Sequence, residues 1–160
     1  MNAADILKYG NQTILRTIAS LSDDTWETPD VCGIWSCKDI IAHLASYERV
    51  LVNILATFLD SDPTPSLDEF RDPNGNFNDQ QVALRKHNTV AEIVAEYSDT
   101  CAQTMELIGC IPAETLRQSG MIPWYGAEYA LDDLIVYMYY GHKREHAAQI
   151  AAFRDRLERL

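Results

Sequence analysis

The C-terminal part of the chain contains the stretch Gly141-His142-Lys143-Arg144-Glu145-His146-Ala147-Ala148-Gln149-Ile150, near the middle of a helical pattern that runs from about 129 to 158. This run has no proline and a single glycine, and large or apolar residues recur about once per helical turn. Residues four apart lie one above the other on a helix, so His142 and His146 share one face. The pattern predicts a long helix that points two imidazoles into the protein interior. The expected inward-facing residues are Leu131, Ile135, Met138, His142, His146, Gln149, Phe153 and Leu157.

Three further long helices are expected before this one. Apolar periodicity predicts them over about 4–21, 36–60 and 89–109. The second and third begin with capping-box patterns, in which a hydroxyl residue is followed three positions later by an acid: Ser36 with Asp39, and Thr89 with Glu92. Four amphipathic helices with apolar inner faces predict an all-α four-helix bundle. A length of 160 residues predicts a single domain over 1–160.

The segment 61–78 is expected to connect the second and third long helices. It contains three prolines, one glycine and several acidic residues. We expect a long, partly ordered crossover, or a lid over one end of the bundle, with a single helical turn near 66–69 and a short helix over 79–86. A link of this length permits a topology other than up-down-up-down, and the pattern leaves the choice open.

The charge and hydropathy of the chain argue against several classes of partner. A formal net charge of −11 disfavours nucleic acid and anionic membrane surfaces, which require clustered lysine and arginine. No stretch of 18 apolar residues is present, and the start has no basic region followed by an apolar run. We therefore expect a cytoplasmic protein with no nucleic-acid partner and no membrane partner, and we attribute the acidity to solubility.

The four cysteines do not have the spacing of a zinc ribbon or a redox motif. In a cytoplasmic chain they are expected to be reduced. Cys101 lies on an apolar helical face and is expected to pack there. Cys37 lies in the first turn of a helix, where the helix dipole can favour a thiolate, but we favour a packing role for it as well.

A third histidine, His43, is expected on the inner face of the second helix. Two or three unpartnered imidazoles in a core are costly, at about 1–3 kcal/mol for each unsatisfied group. A divalent metal removes this cost, because imidazole nitrogen is a preferred ligand of Zn²⁺, Ni²⁺, Fe²⁺ and Cu²⁺. We therefore predict a metal site of His43, His142 and His146 with an open coordination position. The alternative is an ordinary pair of core histidines hydrogen-bonded to neighbours.

Other polar residues near these histidines are weaker candidates. Tyr47, Glu48 and Glu145 lie close to the predicted ligands in sequence and can orient a ligand or move a proton. We favour a simpler interpretation, with a packed tyrosine and two solvated glutamates. His87 lies in a polar segment before a helix cap and is expected to be exposed, not a ligand.

Two known metal motifs do not fit the chain. His142 to His146 matches H-x-x-E-H, but only 14 residues follow, which leaves no later helix for the acidic third ligand of that peptidase class. A ferritin-like di-iron site needs Glu-x-x-His pairs, and none of the three predicted ligands has a glutamate three residues before it.

The segments Trp35-Ser36-Cys37-Lys38-Asp39-Ile40-Ile41-Ala42-His43-Leu44 and His142 to Ile150 together resemble the DinB-like superfamily. That group includes the mycothiol-dependent maleylpyruvate isomerases and the bacillithiol transferases, and the resemblance extends over nearly the whole chain. It implies a four-helix bundle that commonly forms a homodimer. It also implies a metal, often Zn²⁺ or Ni²⁺, held by His43, His142 and His146.

The resemblance suggests an activity without naming a substrate. Characterised members mostly transfer a low-molecular-weight thiol to an electrophile, isomerise a substrate with the help of a thiol, or hydrolyse. Our leading hypothesis is a metal-dependent transferase that uses a thiol such as bacillithiol or mycothiol and a small-molecule electrophile. The alternatives are a hydrolase that needs no thiol and a non-catalytic metal- or small-molecule-binding bundle with a stress-response role.

Overall fold

The computed structural model describes residues 2–61 and 63–159 and consists of helices joined by turns and loops. A π-helical segment, Ile135–Gly141, joins the last two helices into one continuous stretch. The helices in chain order are α1 (Ala3–Ala19), α2 (Cys37–Thr57), α3 (Pro65–Arg71), α4 (Phe77–Leu84), α5 (Val90–Cys110), α6 (Ala113–Leu116), α7 (Leu131–Leu134) and α8 (His142–Leu157).

Both predicted capping boxes are confirmed. The backbone N–H of Asp39 donates to Ser36 Oγ at 3.2 Å, and the N–H of Ser36 donates to Asp39 Oδ2 at 3.0 Å. Thr89 and Glu92 make the same reciprocal pair at the start of α5, at 3.2 and 2.7 Å. Each box satisfies two backbone donors that have no partner within the helix, which fixes where α2 and α5 begin.

The core consists of two apolar clusters, one at each end of the bundle. We call them cluster A and cluster B. Every long helix contributes residues to both clusters, so the order of these residues along a helix gives the direction in which that helix runs. The helices α2 and α5 run from cluster B to cluster A and are therefore parallel, whereas α1 and the last stretch run from A to B. Cluster A includes Leu7, Leu51, Leu55, Ile108, Leu134, Ile135 and Tyr139, and cluster B includes Ile14, Ile40, Ile41, Ile93, Tyr97, Ile150 and Phe153.

A layer of buried polar side chains separates the two clusters. Asn11, Glu48, Thr104 and Lys143 each come from a different long helix, and all four are buried. Along its own helix, each lies between residues of cluster A and residues of cluster B. We call these four residues the polar layer.

The crossover between α2 and α5 agrees with the partly ordered link that the sequence predicts. The single turn expected near 66–69 is part of a longer helix, α3, and the short helix expected over 79–86 is α4, which begins and ends two residues earlier. The N–H groups of Ser66 and Leu67 donate to Asn53 Oδ1 of α2, at 2.8 and 3.2 Å, which caps α3 from another helix. Leu67 and Phe77 are buried, so both short helices gain stability by burying apolar surface.

The crossover is what allows α2 and α5 to be parallel, because parallel neighbours need a connection that returns along the bundle. The long helices pair as α2 with α5 and α1 with the last stretch. The fold is therefore an all-α bundle with a long crossover between the second and third long helices, as the sequence predicted.

The structure bears on the prediction that no segment spans a membrane. Throughout residues 2–61 and 63–159, no helix combines the length and the apolar character needed to cross a membrane.

The last long helix departs from its predicted register. The predicted helix begins at 129, whereas in the structure it begins after Ala130, whose N–H donates to Asp133 Oδ2 at 2.9 Å. Met138 and Gln149 are half-buried and Leu157 is 38% exposed, while Tyr139 and Ile150 face the core. The π segment adds residues to one turn, which moves the inner face by about one position.

The cap of α2 provides a test of the local structure. We expect Ser36→Ala to lower the free energy of unfolding by about 1 kcal/mol, because an N–H at the helix start loses its acceptor. That corresponds to a fall in melting temperature of about 2–4 °C. Ser98→Ala, the same change inside α5, is the matched control. Equal melting temperatures for Ser36→Ala and the wild type would show that the cap contributes nothing.

Candidate metal centre

The three histidines predicted as ligands lie together in the structure. His43 lies in the second turn of α2, and His142 and His146 lie one turn apart at the start of α8. His43 and His146 are 2% and 6% exposed, and His142 is half-buried. One side-chain nitrogen from each lies within 4.8 Å of the others. His87 is exposed, as expected, and lies outside this cluster.

The ring nitrogens of the cluster meet at His142. Its Nε2 lies 2.9 Å from His43 Nε2 and 2.9 Å from His146 Nε2. Three nitrogens around a tetrahedral zinc ion are separated by about 3.3 Å, since zinc–nitrogen bonds are about 2.0–2.1 Å long. Two of the three nitrogen separations are therefore close to the spacing that imidazole ligands of one ion require.

Hydrogen bonding alone cannot satisfy these three nitrogens. A ring nitrogen carries either one proton or one lone pair, so His142 Nε2 can form one good hydrogen bond, yet it has two nitrogen neighbours. A cation between the rings would accept all three lone pairs at once. The donor set thus fits a divalent metal better than it fits a metal-free hydrogen-bond network.

Gln149 fixes the tautomer of one member of the cluster. His146 Nδ1 donates to Gln149 Oε1 at 2.8 Å, which leaves the lone pair on Nε2, the nitrogen that faces the other rings. His43 Nδ1 is buried and has no hydrogen-bond partner among the residues that the structure describes. Its tautomer is therefore set only by whatever Nε2 binds.

Burial keeps the imidazoles neutral. It lowers the pKa of His43 to about 3, and the charges of His142 and His146 act in the same direction. The pKa of His142 is also lowered to about 3, first by burial and then by His146 and Lys143. Burial lowers the pKa of His146, although Gln149 and Glu145 oppose this. Because neutral imidazole is the form that binds metal, the site is ready for a cation at neutral pH.

Aromatic side chains enclose the cluster on several sides. The ring of Tyr47 lies 4.7 Å from that of His43 and 4.6 Å from that of His142. Trp35 lies 4.9 Å from His43. Phe70 and Phe77, from the crossover, contact Tyr47 at 5.5 and 5.9 Å. Tyr47 is thus packed, as predicted, and connects the crossover to the site.

The cluster faces solvent through His142, which is half-buried, whereas His43 and His146 are buried. An open cavity of about 510 Å³ lies there, large enough for a small molecule. Glu145 lies at its edge and is exposed, as predicted. The lining residues are Tyr47, Tyr137, Met138, Gly141, His142 and Glu145.

Glu48 is not solvated, and this prediction was wrong. Its side chain is 0% exposed and pairs with the ammonium of Lys143, which is 2% exposed. The sequence pattern also gave no indication that Lys143 is buried. The position of Glu48 between the apolar residues Leu44 and Leu51 on α2 could have indicated burial. A charged side chain is nevertheless far more often exposed, so the simpler prediction was a surface residue.

The cysteines do not take part in the candidate centre. All four are free, which agrees with the expectation of reduced thiols. Burial raises the pKa of Cys37 to about 11 and of Cys101 well above its usual range. The helix start therefore does not produce a thiolate at Cys37, and both side chains pack in the core, as favoured.

The neutral imidazoles make metal-free protein sensitive to acid. The pKa of His43 is about 3 in the fold against 6.5 when unperturbed, so the unfolded state binds the extra proton between these values. The contribution of neutral His43 to the free energy of unfolding is fully present above about pH 6.5 and is lost as the pH falls toward 3. We expect His43→Gln to make this fall shallower by up to about 1.4 kcal/mol per pH unit.

The measurement is urea unfolding with a chelator at pH 7.5, 6 and 5, comparing slopes instead of absolute stabilities. His87→Gln removes an exposed histidine and should keep the wild-type slope. Parallel curves for His43→Gln and the wild type would contradict the burial of a neutral His43.

The comparison with known families is consistent with this arrangement. Residues 10–130 match the family described as Mycothiol maleylpyruvate isomerase N-terminal domain. The match includes His43 and ends before His142 and His146. No curated protein and no solved structure matches the chain. The match covers well over half of the 160 residues, so the chain belongs to the mycothiol maleylpyruvate isomerase N-terminal domain family, a DinB-like family of helical proteins.

Proposed function

We propose that this protein is a metal-dependent enzyme in which His43, His142 and His146 hold one divalent cation, Zn²⁺ or Ni²⁺. The reaction is the transfer of a low-molecular-weight thiol to a small electrophile. The observation that carries the proposal is the meeting of three neutral, largely buried Nε2 atoms beside an open cavity. The family description, which names mycothiol, supports mycothiol as the first thiol to test.

A divalent cation bound by three imidazoles lowers the pKa of a thiol or a water molecule that it binds, which supplies a nucleophile near neutral pH. The protein's own residues supply the rest. His43 and His146 lie behind, in the core, while His142 faces the cavity where the substrates enter. Tyr47 lines the same cavity and is held in place by its ring contacts with the crossover residues Phe70 and Phe77.

The overall transfer can be written in full. A new bond forms between the thiol sulfur and a carbon of the electrophile. The bond from that carbon to its leaving group breaks, and the leaving group departs with the electron pair. The thiol proton is released to solvent. No external oxidant or reductant is needed, so the chemistry requires only the two substrates and the metal.

The donor set gives a direct test of metal binding. We expect metal-stripped wild type to take up one equivalent of Zn²⁺ or Ni²⁺ and to gain about 2.7 kcal/mol at a metal concentration 100 times the Kd. His142→Ala should lose this gain, since only two imidazoles remain. Calorimetric titration and thermal melting measure both effects.

His87→Ala is the matched control, because His87 is exposed and outside the cluster. It should bind metal like the wild type. Metal binding in His142→Ala that equals the wild type would remove this site from the account.

The transferase activity has its own test. Metal-loaded protein is incubated with a generic electrophile and, separately, with mycothiol, bacillithiol or glutathione. We expect conjugate only when a thiol is added, and we expect His43→Ala, His142→Ala and His146→Ala each to return the rate to the uncatalysed level. Mass spectrometry of the product distinguishes the outcomes.

Two other results would favour a different function, and a third would contradict the proposed site. Consumption of the electrophile without thiol, giving a hydrolysed product, would indicate a hydrolase. Tight metal binding with no turnover of any substrate would indicate a non-catalytic binding protein. Conjugation that is unaffected by the histidine substitutions would contradict the assignment of the site.

A further inference from the structure

The polar layer lies immediately beside the histidine cluster. Lys143 follows His142 in the chain, and Glu48 is five residues after His43 on α2. The acidic side chain of Glu48 and the basic side chain of Lys143 therefore come from α2 and α8, the two helices that carry the three histidines. The feature to explain is why a charged pair is buried at this place, between two apolar clusters.

Each charge in the layer has partners on more than one helix. The Lys143 ammonium contacts Glu48 Oε1 of α2 and donates to Asn11 Oδ1 of α1. Its remaining side faces the Tyr97 ring of α5, at 5.9 Å from the centroid. Glu48 Oε2 accepts a hydrogen bond from Thr104 Oγ1 of α5 at 3.2 Å. One ion pair thus connects all four long helices.

Stability alone is a weak reason for such a pair. Removing a carboxylate and an ammonium from water costs energy that their attraction only partly returns, and apolar side chains of similar volume are often as stabilising or more so. What the pair provides is a directional contact. Leucines on neighbouring helices can slide or rotate against one another, whereas an ion pair with shared hydrogen bonds has few equivalent arrangements.

The place where directional contact is most needed is between α2 and α8. The long helices pair as α2 with α5 and α1 with the last stretch, so the histidine cluster spans the boundary between two packed pairs. The Glu48–Lys143 pair crosses the same boundary. A helix changes orientation by about 100° and height by about 1.5 Å per residue, so a small slip of α8 would move His142 and His146 away from His43.

The α1 side of the layer is also fitted to Lys143. A Cβ on Gly10 would lie 3.2 Å from Lys143 Cδ, which is closer than ordinary contact. Glycine within a helix is less favourable than alanine, so its presence calls for a reason. Its presence here allows the aliphatic part of Lys143 to pass close to α1 and reach Glu48.

We propose that the buried Glu48–Lys143 pair is a positioning device for the candidate metal centre. It fixes the rotation and height of α8 relative to α2, so that the three Nε2 atoms meet. Glu48 and Lys143 act through the histidines and do not contact the substrate. This inference rests on the proposed function, since it assigns to the pair the task of preparing three ligands for one cation.

The test separates stability from positioning. The double variant Glu48→Leu/Lys143→Met replaces the pair with apolar side chains of similar volume. In the presence of a chelator, its free energy of unfolding should be equal to or above that of the wild type. Its Zn²⁺ affinity should be at least about tenfold weaker, the scale seen when groups that orient metal ligands are removed. Competition with a chromophoric chelator measures the affinity.

A gentler variant keeps the test informative if the double variant does not fold. Thr104→Val removes, at nearly constant volume, a hydroxyl whose proton is shared between Glu48 Oε2 and the Cys101 carbonyl oxygen, and it leaves both charges in place. We expect it to remain folded and to bind Zn²⁺ severalfold more weakly.

The matched control is a second largely buried ion pair, Arg85–Glu96, which joins the end of α4 to α5. Arg85→Met/Glu96→Leu should leave the Zn²⁺ affinity unchanged. Wild-type affinity in either folded polar-layer variant, or an equal loss in the control, would overturn the positioning role. If the wild type itself binds no Zn²⁺, the proposed function fails and this inference fails with it.

Discussion

The structure depends on how its interior accommodates polar groups that must be buried. Three imidazoles and one ion pair lie among apolar residues at the boundary between two helix pairs. The ion pair is satisfied within the protein, through Asn11 and Thr104. The imidazoles are not satisfied in this way, because His142 Nε2 can form one good hydrogen bond but has two ring nitrogens as neighbours. That imbalance is the physical reason for assigning a cation to this place, and the exposed side of His142 is the reason for assigning chemistry to it.

The crossover contributes to the site as well as to the topology. Because it makes α2 and α5 parallel, both helices run antiparallel to α8, and the second turn of α2 meets the first turn of α8 at the histidine cluster. Its Phe70 and Phe77 then pack on Tyr47, which contacts two of the histidines. The segment that carries prolines and acids is therefore part of the wall of the candidate centre. Order in this segment comes from α2, whose Asn53 caps α3.

The sequence predicted what depends on local pattern and on strong chemical preference. Ser36 with Asp39 and Thr89 with Glu92 marked helix starts because capping is a local interaction. His43, His142 and His146 were proposed as ligands because histidine on an apolar face is uncommon and has few explanations, and the structure brings the three side chains together. The burial of Glu48 and Lys143 was missed for two reasons. Periodicity does not decide which of two adjacent residues, such as 47 and 48, faces the core, and a buried charge can be recognised only together with its partner. The π segment was missed because Ile135 to Gly141 has the same apolar character in either helix type.

The central claim is that three imidazole nitrogens share one cation. Zinc-edge X-ray absorption on the zinc-loaded protein tests it most directly, because the spectrum reports the ligand type, number and distance. The account predicts one zinc ion with three imidazole nitrogens at about 2.0–2.1 Å and one further light ligand. A zinc environment of carboxylate or thiolate ligands with at most one imidazole, or a protein that retains no zinc, would contradict it.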